Sequence, residues 1–257
     1  MATPASPTLG PLRFDPQREE AELRDYLGER FEQQRLWHYQ ETLDAEFAAT
    51  DDEQAFYRTS EGYLYNLTAF AMTGTKLPYL QALVERVPRG ARLLDYGCGI
   101  GSDGLMLLEA GYRVEFADFA NPSVEYLRWR LARRGHDAPI HDLDVEVPTG
   151  FDAAYAFDVI EHVPDPVAFL GEMERRARIV EVNFLEPEPD DQDLHHELDV
   201  AALVGHAARH GLLHYRVYHG RSHLVIYDTR PASGVTRVAS LARMAAGRLR
   251  ARRRTPA

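Results

Sequence analysis

The sequence predicts an α/β fold, a largely parallel sheet covered by helices, on three observations. From about residue 90 to 185, short apolar runs of strand type alternate with helical stretches, the pattern of repeated strand–helix–strand units. One run, Leu93-Leu94, leads into Asp95-Tyr96-Gly97-Cys98-Gly99-Ile100-Gly101-Ser102-Asp103-Gly104, with four glycines in eight positions before an apolar helical stretch. Finally, 212–219 and 222–228 alternate around Gly220-Arg221, as a hairpin completing the sheet would.

The glycine stretch organises the rest. Glycines let the backbone turn sharply and leave no side chain over the loop. The helix that follows aims its N-terminal N–H groups at whatever sits there. A strand–loop–helix of this kind at the carboxyl edge of a parallel sheet is a nucleotide-cofactor site. Gly99-x-Gly101-x-x-Gly104 also fits a dinucleotide fingerprint, with Asp118 at a fitting distance for a ribose contact. Asp95 separates the two readings, because an acid just before the loop suits an ammonium-bearing cofactor and repels a pyrophosphate. No Gly-Lys-Ser/Thr follows, which excludes a P-loop. Asp95-x-Gly97-x-Gly99-x-Gly101 after a hydrophobic strand resembles the first motif of the class I S-adenosylmethionine (SAM) dependent methyltransferases.

Bulk properties set outer bounds. The 257 residues, 45% hydrophobic, suffice for one α/β domain with an appendage. A single cysteine argues against a disulfide framework and for a reducing compartment. With no signal-like N-terminus and no apolar run of membrane-spanning length, the expectation is a cytoplasmic protein off the membrane. The net charge of −11 is uneven: eight arginines and no acid from Arg230 onward leave −19 on the first 229 residues. So acidic a body repels nucleic acid. No partner beyond a small-molecule substrate is expected, and oligomeric state is left open.

In chain order, residues 1–14 read as a flexible lead-in, and 15–74 as a helical cap or lid. The cap divides into one helix over 15–50, carrying the stripe Leu23, Leu27, Phe31, Leu36, Leu43 and Phe47, and an aromatic one from about Glu53 to Met72. Tyr63 and Tyr65 are its lid candidates, since a sulfonium cation is attracted to tyrosine faces; packing on the core is the plainer alternative. Residues 75–229 form the cofactor-binding domain. After a helix over 77–87, strands are expected from after Gly90 to Leu93-Leu94, at 113–117, near 139–141, at 151–157 and at 178–184. Helices between them run over 104–110, from Asn121-Pro122-Ser123 to Arg134 with Gly135 closing, over 167–177, and over 200–210. The basic tail from Arg230 carries Val235, Val238, Leu241, Met244 and Leu249 among its arginines. It is expected to be solvated and partly disordered, the alternative being an amphipathic helix for lipid or RNA.

Site candidates follow from strand ends. Asp118, closing the second strand, can accept two hydrogen bonds from ribose hydroxyls, and Phe119 beside it can lie against an adenine or pack on the sheet edge. The segment Asp158-Val159-Ile160-Glu161-His162-Val163-Pro164-Asp165-Pro166 after the fourth strand resembles the branch that includes ubiquinone-pathway O-methyltransferases. That resemblance implies a Rossmann-like seven-stranded, mostly parallel sheet of order 3-2-1-4-5-7-6 with an N-terminal helical cap, and SAM as cofactor. It implies that Asp95, Gly97, Cys98, Gly99 and Gly101 line the loop. Asp142, with Asp144 as second choice, accepts from the adenine amino group, and the Leu143 N–H contacts the ring. Asp158 stands near the methionine half. For catalysis the candidates are His162 as base or helix-terminal hydrogen-bonder, Asn183 as substrate orienter or turn cap, His195 or His196 after the fifth strand, and Tyr65. The paired histidines match no metal-ligand spacing, so no metal is expected.

The function expected is methyl transfer to a small molecule. One alternative is cyclisation of SAM itself to azetidine-2-carboxylate with release of methylthioadenosine, as in relatives of the same fold. The other is a non-enzymatic scaffold or a tail-directed RNA- or membrane-binding module.

Overall fold

The structure, a computed structural model, describes residues 8–9, 12–48, 56, 58–186, 196–230 and 234–252. In chain order its main elements are α1 (Pro16–Leu27), α2 (Gln33–Trp37), α3 (Tyr39–Ala48), α4 (Gly62–Thr73), α5 (Leu77–Val84), β1 (Arg92–Tyr96), α6 (Ser102–Glu109), β2 (Arg113–Asp118), α7 (Pro122–Arg134) and β3 (Ile140–Asp142). There follow β4 (Phe151–Ala156), α8 (Pro166–Arg176), β5 (Ala177–Leu185), α9 (Val200–Arg209), β6 (Gly211–Tyr218), β7 (Ser222–Asp228) and α10 (Gly234–Arg252). The strands form one sheet of order β3-β2-β1-β4-β5-β7-β6, the expected 3-2-1-4-5-7-6. Pairing is parallel for β2 with β3, β1 with β4 and β4 with β5, and antiparallel for β5 with β7 and β7 with β6. The chain divides into two compact units, one of residues up to Val84 with Gly97–Val147, the other of Glu85–Tyr96 with Pro148 onward.

In the first unit, the single helix expected over 15–50 is three. Asp15 caps α1 by accepting from the Arg18 N–H at 3.1 Å, with Pro16 in the first turn. Gly28, at φ +57°, ends α1, and His38 separates α2 from α3. The stripe still does its work, because Leu23, Leu27 and Leu36 join Leu64, Tyr65, Ile100 and Tyr126 in one buried cluster. The helices expected as a cap share this core with Ile100 of the glycine loop.

The same unit holds a buried ionic network. Arg130 on α7 is fully buried. Its guanidinium donates to Glu22 Oε2 at 2.8 Å, Glu19 Oε1 at 2.7 Å, the Ile100 carbonyl at 2.8 Å and Ser102 Oγ at 2.9 Å. Arg134 adds bonds to both Glu22 oxygens at 2.8 and 2.7 Å. Burial alone would push the Glu22 carboxyl up, but Arg134 and Arg130 outweigh it and hold it below the ordinary carboxylate range. A group depressed on folding stabilises fully above its unfolded pKa, and that contribution fades as pH falls through the folded value. The thermal midpoint of the wild type is therefore expected to drop as pH falls below about 4.5, the ordinary value for a glutamate. E22Q is expected to be less stable at neutral pH and to show a shallower acid dependence, both measurable by calorimetry.

In the second unit, β4 and the middle of β5 are buried on both faces, as central parallel strands require. Asp165 caps α8 by accepting from the Ala168 N–H at 2.9 Å, and Asp199 caps α9 through the Ala202 N–H at 2.9 Å. The expectation of a solvated tail is overturned for residues 234–252, which form a helix packed on β6. Ser240 on α10 is fully buried, and its hydroxyl accepts from the Leu212 N–H at 3.0 Å. Arg243 donates to the Leu212 carbonyl at 2.9 Å. A Cβ on Gly247 would run into the Tyr215 ring. β6 is an edge strand, and covering such an edge satisfies its backbone and hides its apolar face. Removing residues 230–257 is therefore expected to lower the thermal midpoint by about 5 °C or more and to speed proteolysis, both read on the purified truncation. Among the described residues, no helix is long and apolar enough to cross a membrane.

Candidate active site

The glycine loop leaves β1 and is tied to β2. The Gly97 and Cys98 N–H groups both donate to the Ala117 carbonyl, at 2.8 and 3.1 Å. Gly97, Gly99 and Gly101 have φ of +78°, +51° and +70°, a region that L side chains rarely adopt. At two of them space matters as well. A Cβ on Gly99 would sit 2.9 Å from Leu67 of α4, and one on Gly101 would run into Leu127 of α7. These glycines allow the helices of this unit to close on the loop.

Asp118 is the hub. Its Oδ2 accepts from the Gly99 N–H at 2.7 Å, and its Oδ1 from the Phe119 N–H at 2.8 Å and the Asn121 amide at 3.3 Å. Burial pushes its carboxyl up despite those three donors, and Asp142 nearby adds to the rise. A carboxylate offers about four lone-pair positions, so three donors leave room for a ligand hydroxyl. Asp142 is in register with Asp118 on β3, and its Oδ1 accepts from the Asp144 N–H at 3.0 Å. The Leu143 N–H, expected to meet an adenine ring, donates instead to the Asp118 carbonyl at 3.0 Å and continues the strand pairing.

Sequence reasoning missed Arg58. Its guanidinium makes a bidentate pair with Asp144, at 2.7 and 3.0 Å, and lies 4.4 Å over the Phe119 ring. The bonds to Asp144 push Arg58 up and hold Asp144 down. Phe119 itself remains 36% exposed. Nothing local in the sequence joins positions 58 and 144.

The two lid tyrosines differ. Tyr63 is half-buried on α4, with its N–H on Ser60 Oγ at 3.1 Å. Tyr65, expected at the lid or in catalysis, is buried in the core instead, accepting from the Glu32 N–H at 3.0 Å and donating to the Arg30 carbonyl at 3.2 Å. A hydroxyl so engaged braces the α1–α2 connection.

In the second unit, Asp95 is buried at the end of β1, in register with Tyr155. Asp158 follows β4 at φ +55°, an uncommon conformation for a residue other than glycine. Asn183 holds it there. Asn183 Oδ1 accepts from the Asp158 N–H at 2.8 Å, and its side-chain NH2 donates to Asp158 Oδ1 at 2.6 Å and to Ser222 Oγ at 3.1 Å. Asn183 is fully buried, and both ends of its side-chain amide are engaged with Asp158. That pattern needs one donor and one acceptor on the same side chain. N183D, nearly the same in shape, would set two carboxylates against each other. We expect N183D to cost about 3 kcal/mol or more in unfolding free energy, against a smaller loss for N183A, as denaturant titration would show.

His162 is half-buried in a short helical turn, Ile160–His162, and the Glu161 carbonyl accepts from the His196 N–H at 2.7 Å. His196 is exposed, and His195 lies outside the described residues.

A family model described as "Methyltransferase domain" matches residues 71–222, more than half of the chain. The chain belongs to this methyltransferase-domain family, the class I SAM-dependent group that its glycine loop resembles. Among curated proteins it is 33% identical over 105 residues to a ubiquinone biosynthesis O-methyltransferase of Xanthomonas axonopodis pv. citri, covering 39% of this chain and 43% of that protein. It is 35% identical over 106 residues to the enzyme of the same name from Xylella fastidiosa, with 39% and 42% covered. The chain thus matches well under half the length of these relatives. Among solved structures, the PH0226 protein of Pyrococcus horikoshii OT3 shares the fold, with TM-score 0.50 at 17% identity, covering 69% of this chain and 95% of that one.

The donor set of the methyltransferase domain suits SAM. Asp118 offers an acceptor position for a ligand hydroxyl, and Phe119 an exposed ring beside it.

Proposed function

We propose that this protein transfers the methyl group of SAM to a small-molecule acceptor. The observation that carries the reading is Asp118, whose carboxylate grips the Gly99 N–H at 2.7 Å and the Phe119 N–H at 2.8 Å beside the exposed Phe119 ring. The name of the matched relatives, ubiquinone biosynthesis O-methyltransferase, supports an acceptor of small-molecule type.

When bound, SAM supplies a methyl group already activated on a sulfonium, so the chain has to position and desolvate. Asp118 would accept a ribose hydroxyl through its remaining lone pair. Phe119 would pack on the adenine, and Asp142 would accept from its amino group. Gly97, Cys98, Gly99 and Gly101 would present the bare loop. The motif assigns Asp95 and Asp158 to the ammonium end. Tyr63 is the aromatic left for the lid, and Arg58, paired with Asp144 over Phe119, would close the base side to water. An oxygen or carbon acceptor has to lose a proton, and His162 is the base we assign, with His195 or His196 as the alternative.

The test is incubation with methyl-labelled SAM and a small-metabolite extract. Label in a small molecule is the expected result; label in protein or RNA instead would refute the acceptor class. Enzyme with SAM alone is expected to leave it intact. Methylthioadenosine above the spontaneous background would replace transfer with cyclisation.

A further inference from the structure

At the end of β5 away from Asn183, three side chains converge. Glu174 lies in the last turn of α8, three residues before β5 begins. His206 and His210 are four residues apart at the end of α9, a spacing that stacks two side chains on one helix face. Their rings lie 5.2 Å apart, tilted by 32°. His206 Nε2 is 2.7 Å from Glu174 Oε1, and His210 Nε2 is 3.8 Å from the same oxygen. One ligand atom from each of the three falls within 4.8 Å of the others.

We infer that Glu174, His206 and His210 form a binding site for a divalent transition metal of zinc type. Two imidazoles and a carboxylate are a borderline donor set that suits zinc and its neighbours rather than calcium or magnesium. At zinc–ligand distances of about 2.0–2.1 Å, tetrahedral ligand atoms stand about 3.3 Å apart. The 2.7 and 3.8 Å separations bracket that value, so small side-chain adjustments complete the set.

Around His210 and Glu174 the partners are those of a metal site, while the Arg209 guanidinium reaches His206 Nδ1 at 3.4 Å. His210 Nδ1 faces the Thr229 carbonyl at 3.4 Å, which makes Nδ1 the donor and leaves the Nε2 lone pair toward the cluster. The Tyr227 hydroxyl donates to Glu174 Oε1 at 2.9 Å. The side chains keep 16%, 25% and 17% exposure at His206, His210 and Glu174, enough for entry and a water as fourth ligand.

The role is structural. From Ala177 to Asn183 on β5 is six residues, about 20 Å at strand rise, so an ion here is far from Asp158 and its brace. It would clip α8 to α9, with the end of β7 as backing. The sequence hides this site: its two histidines carry no local signal beyond their spacing, and Glu174 comes from another helix.

The test uses the full chain, stripped with chelator and titrated with Zn2+ by calorimetry, with Co2+ as a spectroscopic substitute. We expect one equivalent to bind, bringing the intense visible bands of tetrahedral cobalt. At a hundredfold excess over its dissociation constant it is expected to raise the thermal midpoint by about 5–10 °C. H206Q/H210Q is expected to lose all three effects, and H195Q/H196Q to keep them. Zinc binding that survives H206Q/H210Q, or disappears in H195Q/H196Q, overturns the inference, as does the absence of saturable binding. If the double variant does not fold, E174Q and the wild-type cobalt spectrum decide, and a spectrum like that of aqueous cobalt rejects the site.

Discussion

R130M is expected to lower the thermal midpoint by about 10 °C, which corresponds to a loss of about 3–5 kcal/mol. Arg130 has no exposure, and four groups depend on it: Glu19, Glu22, the Ile100 carbonyl and Ser102. A surface ion pair is worth little, because water competes for both charges. Here water is excluded, and removing the cation leaves Glu22, 2% exposed, with Arg134 and the more exposed Arg18 as its remaining partners. The cost comes mainly from leaving the buried Glu22 and Glu19 carboxylates with fewer cationic partners. R130M/E22L, which removes both charges and fills the space with apolar atoms, is therefore expected to recover part of the loss. Differential scanning calorimetry at neutral pH decides it; a midpoint within about 2 °C of the wild type for R130M would show that the network carries no weight.

D118A is expected to weaken SAM binding by about a hundredfold or more, measured by calorimetric titration. Hydrogen bonds to a charged group contribute about 1.5–3 kcal/mol each. Asp118 holds the Gly99 N–H, the Phe119 N–H and the Asn121 amide, and would also take the ribose. D118N keeps the shape but turns an NH2 toward one of those donors, so about a tenfold loss is expected. Circular dichroism checks that both variants fold. Binding by D118A within twofold of the wild type would remove Asp118 from the site, and the cofactor assignment would lose its main support.

The parts of this protein written in local chemistry are legible in the chain alone. Asn121-Pro122 opens α7 and Gly135 closes it, as side-chain caps and a left-handed glycine dictate. The strand after Gly90 and the acid at the end of β2 follow from apolar runs and their punctuation, and the sheet order followed from the family resemblance. The single long helix over 15–50 failed because Gly28 ends one helix while the apolar stripe continues into the next. The tail failed because its charge suggested solvation. What matters there is the set of small residues, Ser240 and Gly247, that let α10 lie on β6.

By itself, then, the sequence determined the α/β class, the glycine loop and the strand-end acids Asp95, Asp118 and Asp158. Each of these depends on residues adjacent in the chain or spaced by the period of one element. Tertiary structure alone decided that Arg58 pairs with Asp144, that Arg130 bridges to Glu19 and Glu22, that Tyr65 belongs to the core and that Asn183 braces Asp158. These pairings join positions 25 to 111 residues apart, or depend on which polar atom ends up without water. No local pattern records either, because burial and partner choice arise only when the whole chain packs.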